Sequence, residues 1–161
     1  MSGLKIVPLV DMPKVIPALA RTFLWEWEPY YGENGPGDAT ADLAECCNRE
    51  KIPLGLVAVD NNGQPLGTIA LKNKSLESHH HLGPWLAAFV VVPEMRGQGI
   101  GSALVTALEK HARRLGFNEM YTGTDQAINL LKRLGWESIS GDDATATSLR
   151  GPIQVFQKML N

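Results

Sequence analysis

One segment constrains the fold more than any other: Val90-Val91-Val92-Pro93-Glu94-Met95-Arg96-Gly97-Gln98-Gly99-Ile100-Gly101-Ser102-Ala103-Leu104. It joins an apolar strand, Trp85 to Val92, to a glycine-rich turn and then to a helix. In that helix Ile100, Leu104, Leu108, His111, Ala112 and Leu115 recur on one face, and Gly116 stops it. The first amides of a helix have no acceptor within it, and the helix dipole places partial positive charge there. Glycines at 97, 99 and 101 let the chain bend so that these amides converge on an anion, with Arg96 as a fixed cation beside them. The turn does not read G-x-G-x-x-G in register, and it lacks the lysine and hydroxyl of a phosphate-binding P-loop. On the turn alone, a strand-to-helix corner that binds nothing stands as the alternative.

The rest of the chain reads as one α/β domain spanning 1–161. Leu4 to Val10 is an expected strand, Met12 to Leu24 a helix made awkward by Pro17, and Asp38 to Lys51 a second short helix. Between the helices lie the aromatic run Trp25-Glu26-Trp27-Glu28-Pro29-Tyr30-Tyr31 and a loop from Gly32 to Gly37. Gly55 to Asp60 and Pro65 to Lys72 are strands joined at Asn61-Asn62-Gly63-Gln64, a strong hairpin turn. Asn73 to Gly83 is polar and loop-like. The unbroken apolar run from Trp85 to Val92 implies a strand buried on both faces. Beyond the glycine-rich turn and its helix come a strand at Glu119 to Thr124 and a helix at Gln126 to Leu134. Strands around Trp136 to Ile139 and Ile153 to Met159 follow, with a polar Gly141-Asp142-Asp143 loop between them. The order is β-α-α-β-β-β-α-β-α-β-β.

Composition narrows the partners. Fifteen Lys plus Arg against 17 Asp plus Glu give a net charge of −2, which offers no basic footprint for nucleic acid or an anionic membrane. The longest apolar run, Trp85 to Val92, falls far short of the roughly 20 residues a membrane helix needs. The expectation is therefore a cytoplasmic protein with neither signal peptide nor spanning segment. Cys46 and Cys47 are adjacent, so no intrachain disulfide framework is expected.

Arg96-Gly97-Gln98-Gly99-Ile100-Gly101, preceded by a Val-x-Pro-x-x-Arg frame, resembles the Arg/Gln-x-x-Gly-x-Gly/Ala signature of the GNAT superfamily of N-acetyltransferases. Thr124-Asp125-Gln126-Ala127-Ile128-Asn129-Leu130-Leu131-Lys132-Arg133-Leu134-Gly135-Trp136 is similar to the family's second cofactor-contacting segment, and the order of elements agrees from Leu4 to Met159. The resemblance implies a mixed, mostly antiparallel sheet flanked by helices, with a splayed central strand pair. It implies acetyl-CoA as co-substrate: its pantetheine arm along Phe89, Val90 and Val91, and its pyrophosphate on the turn formed by Gly97, Gln98, Gly99, Ile100, Gly101 and Ser102, which Arg96 orients. A primary amine, expected on a small molecule, would attack the thioester directly, with no metal. A homodimer is a further expectation from the fold. An acyl-CoA-binding sensor with weakened catalysis, or an enzyme acting on a protein amine, stays open beside it.

The sequence departs from the family pattern where chemistry is at stake. Leu131 stands where a tyrosine usually protonates the leaving thiolate, and Thr124 stands where asparagine is usual. Tyr121 is a candidate relocated acid. No carboxylate lies within Trp85 to Val92, so His79, His80, His81, Asp125, Glu26 and Glu28 are the candidate bases, and the catalytic groups stay unassigned. A solvated surface is the simpler reading of the histidine triplet. Trp25, Trp27, Tyr30 and Tyr31, with Trp85, are candidates for the acceptor pocket, where aromatics interleaved with glutamates suit a cationic amine. Lys110, Arg113, Arg114 and Lys132 read as solvated faces that could also meet the cofactor's 3′-phosphate.

Overall fold

A computed structural model describes residues 3–148 and 151–160. The strands are β1 (Lys5–Pro8), β2 (Leu54–Val59), β3 (Pro65–Lys72), β4 (Trp85–Val91), β5 (Glu119–Thr124), β6 (Glu137–Ser138), β7 (Thr145–Ser148) and β8 (Gly151–Met159). The helices are α1 (Ile16–Glu26), α2 (Glu28–Tyr31), α3 (Ala39–Glu45), α4 (Ile100–Arg114) and α5 (Ile128–Arg133). One sheet carries the strands in the order β1-β2-β3-β4-β5-β8-β6, with β7 also paired to β8. Every pairing is antiparallel except that of β4 with β5. The open, mostly antiparallel sheet flanked by helices is the architecture the sequence led us to expect.

Helices cover both faces of β2 and β3, and the period-2 alternation of a strand shows how. Leu54, Leu56 and Ala58 of β2 join the core beneath α4, with Leu104, Leu108 and Ala112. Val57 and Val59, one residue out of phase, join the core beneath α1 and α3, with Leu19, Phe23 and Leu43. A third cluster, Trp85, Tyr121 and Val155, fills the sheet end where β4 and β5 still touch.

Differences from the expected elements have local causes. The chain between Leu9 and Val15 forms two short 3₁₀ turns, and α1 begins only at Ile16. Pro17 thereby falls in its first turn, where a missing N–H costs nothing. In α3 Asp38 accepts a bond from the Ala41 N–H (3.0 Å), and the helix stops at Glu45 rather than running to Lys51. There the Asn48 side chain donates to the carbonyls of Glu45 (2.8 Å) and Pro53 (2.7 Å) and turns the chain back toward β2. The polar stretch Thr145–Ser148, not expected as a strand, pairs with the start of β8 as a hairpin arm.

Under α4 lies a buried charge. Glu109 is 6% exposed and accepts a bond from the Trp136 indole N–H (3.0 Å), with Arg113 and Lys158 each 3.7 Å from its other oxygen. Trp136 closes the second family-like segment, so this carboxylate ties that segment to the central helix. Removing one partner of a buried pair leaves the others uncompensated, at a typical cost of about 3–5 kcal/mol. Glu109→Ala should lower unfolding stability by about 3 kcal/mol. Glu109→Gln, which keeps an acceptor for Trp136, should cost less than half as much; urea denaturation of the three proteins reads the difference.

Candidate active site

The site begins where a ladder stops. β4 and β5 pair only at Trp85 and Tyr121, where the Tyr121 N–H donates to the Pro84 carbonyl (3.0 Å). The next β4 carbonyl due for β5, that of Leu86, accepts instead from the Thr122 hydroxyl (2.9 Å). Two residues later Ala88 takes φ of +52°, alone among the described non-glycine residues in having a positive φ, and the register with β3 slips between Thr68 and Ala70. A side chain in that conformation is held only by surrounding structure, and such bulges re-aim a strand. Past the bulge β4 leaves β5 altogether.

A cleft of about 990 Å³ fills the gap. The Val92 N–H donates to the Leu66 carbonyl (2.9 Å), and alternation turns the Val90 backbone to β3 as well. The polar backbone groups of Phe89 and Val91 therefore face the gap. Ala87, Ala88, Phe89 and Val91 are only partly buried, so the unbroken apolar run that suggested burial on both faces instead lines a cavity.

Beyond β4 the turn has the geometry its glycines suggest. Gly97 and Gly99 adopt φ of +80° and +86° with open space around each, and Gly99 is the N-cap of α4. The first intrahelical bond runs from the Ala103 N–H to the Gly99 carbonyl (3.1 Å), so the amides of Ile100, Gly101 and Ser102 have no acceptor inside the helix. A side chain on Gly101 would meet the Phe89 ring at 3.2 Å, which holds α4 close against β4. Arg96 is committed to the frame of the site: its Nε donates to the Val91 carbonyl (2.9 Å) and its Nη2 to Glu26 Oε1 (2.6 Å). It thus pins the end of α1 to the end of β4.

The residues singled out in the sequence divide cleanly. Phe89, Val90, Val91, Arg96, Gly97, Gly99, Ile100, Gly101 and Ser102 all line the cleft, whereas Gln98 is exposed outside it. Trp27, Tyr30 and Tyr31 also line it. Trp25 is 66% exposed away from it, and Trp85 is fully buried, packed on Tyr121 and donating to the Leu82 carbonyl (2.8 Å). Glu26 and Asp125 face the cleft, and Glu28 does not.

The histidine triplet sits elsewhere. His79 is buried rather than solvated: Ser78 Oγ donates to its Nδ1 (2.6 Å), and its Nε2 donates to the Asp143 carbonyl (3.0 Å). His81 bonds the Asp143 carboxylate (2.8 Å), so the pair staples two loops together. Tyr121 is unsuited to act as the acid, because burial and its bond to Glu119 push its hydroxyl up to about 12 and it lies outside the cleft.

Leu131, 1% exposed, occupies the cleft wall and packs in the core under α4. The Thr124 hydroxyl accepts from the N–H groups of Gln126 (3.2 Å) and Ala127 (3.0 Å), starting the turn into α5. Arg113 and Arg114 are engaged with Glu109 and Glu50, and it is Arg133, not Lys132, that reaches the cleft. Among the described residues no cluster of His, Cys, Asp or Glu has the arrangement of a metal site.

Sequence reasoning missed Asp42 and Lys72. Asp42 accepts from the Tyr31 hydroxyl (2.7 Å), and burial with this carboxylate holds that hydroxyl far above the ordinary phenol range, so it remains a donor. Neither residue belongs to a recognisable motif; α3 and the end of β3 bring them to the cleft.

Hydrogen bonds to charged groups contribute about 1.5–3 kcal/mol when well ordered, and Arg96 is half exposed. Arg96→Ala should therefore lower stability by about 1 kcal/mol in chemical denaturation. It should also speed amide exchange selectively in the last turn of α1 and in β4; uniform exchange across the protein would contradict this pinning role.

The acetyltransferase (GNAT) family model matches residues 19–136. No curated protein matches the chain in sequence. Solved structures share its fold over nearly the whole length. An aminoglycoside 6′-N-acetyltransferase complexed with coenzyme A superposes with a TM-score of 0.75 at 18% identity, covering 98% of this chain and 97% of that one. The aminoglycoside 6′-N-acetyltransferase from Enterococcus faecium gives 0.74 at 19%, with coverages of 98% and 97%. The Salmonella typhimurium protein yncA, solved with its cofactor acetyl-CoA, gives 0.73 at 19%, with coverages of 99% and 95%. With its splayed strands, its glycine-rich helix start and a family match across most of its length, the chain belongs to the GNAT acetyltransferase family.

Proposed function

We propose that the whole chain, 1–161, is one acetyltransferase domain that moves an acetyl group from acetyl-CoA to the primary amine of a small molecule. The observation that carries this reading is the continuity of one cleft. It runs from amides without intrahelical acceptors at the start of α4, along the unpaired edge of β4, to a wall of aromatic and charged side chains on α1, α2 and α3.

The amides of Ile100, Gly101 and Ser102 hold the pyrophosphate, with Gly97 and Gly99 giving the turn its shape. The backbone N–H and carbonyl of Phe89 and the N–H of Val91, whose carbonyl is held by Arg96, take the amide-rich arm as an added strand on the edge β5 has vacated. Val90 contributes packing rather than hydrogen bonds. Arg96 acts by fixing the turn against Glu26 and Val91, and Gln98 enters only through its place in the turn, its side chain standing outside the cleft. Trp27 and Tyr30 line the acceptor end.

Acetyl-CoA supplies the activated acetyl group. Transfer forms a C–N bond as the thioester C–S bond breaks, and the proton the amine gives up is balanced by the one the thiol gains. Leu131 offers no proton for that step, so the chain forgoes at this position the roughly 10²–10⁴-fold that a general acid contributes. What the chain supplies is placement, excluding water with Phe89, Leu130 and Leu131 while aligning the two reactants.

Ser102→Asp separates binding from folding. A carboxylate in the first turn of α4 favours the helix by about 0.3–1 kcal/mol, yet it opposes a phosphate at the same amides. Calorimetric titration should show acetyl-CoA binding to the unaltered protein and weakening by about 10-fold or more in Ser102→Asp, equivalent to at least ~1.4 kcal/mol. The thermal midpoint should hold or rise. Absence of binding to the unaltered protein would overturn the proposal.

A further inference from the structure

The acceptor end of the cleft carries a charge pattern that bears on which amine it takes. Lys72 closes β3. Leu71 before it faces the core beneath α4 and Ala70 faces the core beneath α1 and α3, so alternation brings Lys72 out on the α1/α3 side, beside Asp42 and Cys46. Lys74, two residues on, lines the same wall. Neither lysine makes an ion pair or side-chain hydrogen bond with a described residue.

These cations are not placed for the pyrophosphate. Lys72 sits opposite Trp85 at the start of β4, whereas the glycine-rich turn follows Val91 at its end. Six residue steps of a strand separate the two, about 20 Å. An anion held by Lys72 must therefore belong to something other than the phosphates on α4.

The carboxylate beside Lys72 is already engaged, since Asp42 accepts from the Tyr31 hydroxyl. Asp42 and the rings of Trp27, Tyr30 and Tyr31 give one ammonium a favourable berth, through charge and cation–π attraction. A molecule bearing several ammonium groups would set at least one of them against Lys72 or Lys74, where like charges repel.

We propose that the acceptor is a zwitterion: a small molecule with a carboxylate a few bonds from its reactive amine, the carboxylate held by Lys72 with Lys74 beside it and the amine directed past Asp42 toward β4. This rests on the acetyl-CoA-dependent transfer proposed above, and it narrows that reading to amino-acid-like substrates. Polycationic amines such as aminoglycosides are excluded as preferred acceptors.

The test compares matched amines. Thiol release from acetyl-CoA is followed with the common α-amino acids, the carboxamide of each, and the aminoglycoside kanamycin. At least one amino acid should be used with kcat/KM about 10-fold or more above its carboxamide, a factor typical of one charge-assisted contact. Lys72→Gln should collapse that ratio by raising KM for the acid, and Lys72→Glu should reverse it. Both variants should bind acetyl-CoA as the unaltered protein does in calorimetry.

Preference for carboxamides or kanamycin, failure to use any amino acid, or a ratio indifferent to Lys72→Gln would overturn the proposal. If the unaltered protein binds acetyl-CoA and shows one of these results, only the zwitterion assignment falls. If it does not bind acetyl-CoA, the proposed function falls with it.

Discussion

The interrupted hydrogen-bond ladder between β4 and β5 is the constraint on which the rest of the molecule depends. A sheet that continued across this pair would have no cleft, and its two central strands would satisfy each other. Instead the Thr122 hydroxyl takes the carbonyl that β5 would have bonded, and Ala88 adopts a left-handed conformation that bends β4 away. The Thr122 bond replaces one of the several backbone bonds forgone, while the Ala88 conformation itself costs about 1–3 kcal/mol. The remainder must come from packing on either side: α4 against one face of the sheet, and α1 with α3 against the other. The helices thus do more than cover the sheet, since they hold open a gap that the strands left to themselves would close.

The same arrangement sorts charge along the cleft. At the α4 end the attraction for anions comes from backbone amides. At the α3 end it comes from side chains, Lys72 and Lys74 set near Asp42 and Tyr31. Between them the wall is apolar, with Ala87, Ala88, Phe89 and Leu131 facing the cavity. A low-polarity middle flanked by two polar ends favours an elongated ligand with charge at one extremity meeting a smaller one entering from the other side.

Much of this was legible in the sequence, for a physical reason. The glycine-rich turn, the strand before it and the helix after it are contiguous, and each is governed by local rules of backbone freedom and periodicity. Gly97 and Gly99 need their positive φ whatever surrounds them. Side chains whose role depends on distant neighbours were not legible in the same way. Trp85 and Trp25 are chemically alike, yet one is sealed in the core by Tyr121 and the other stands in solvent. His79 is buried because a loop more than sixty residues away supplies the Asp143 carbonyl, a partner that no local pattern announces. The apolar run of β4 misled in an instructive way, because a strand lining a cavity has the composition of one buried by protein. Asp42 and Lys72 carried no local signal at all.

The dual engagement of Arg96 has a consequence for how the molecule responds to its surroundings. An arginine beside a glycine-rich turn suggests an ionic grip on phosphate, but both its Nε and its Nη2 are already occupied by the Val91 carbonyl and Glu26. What the start of α4 adds comes from peptide groups, which carry dipoles rather than net charge and do not titrate. Their field keeps its strength and direction from mildly acidic to alkaline solution.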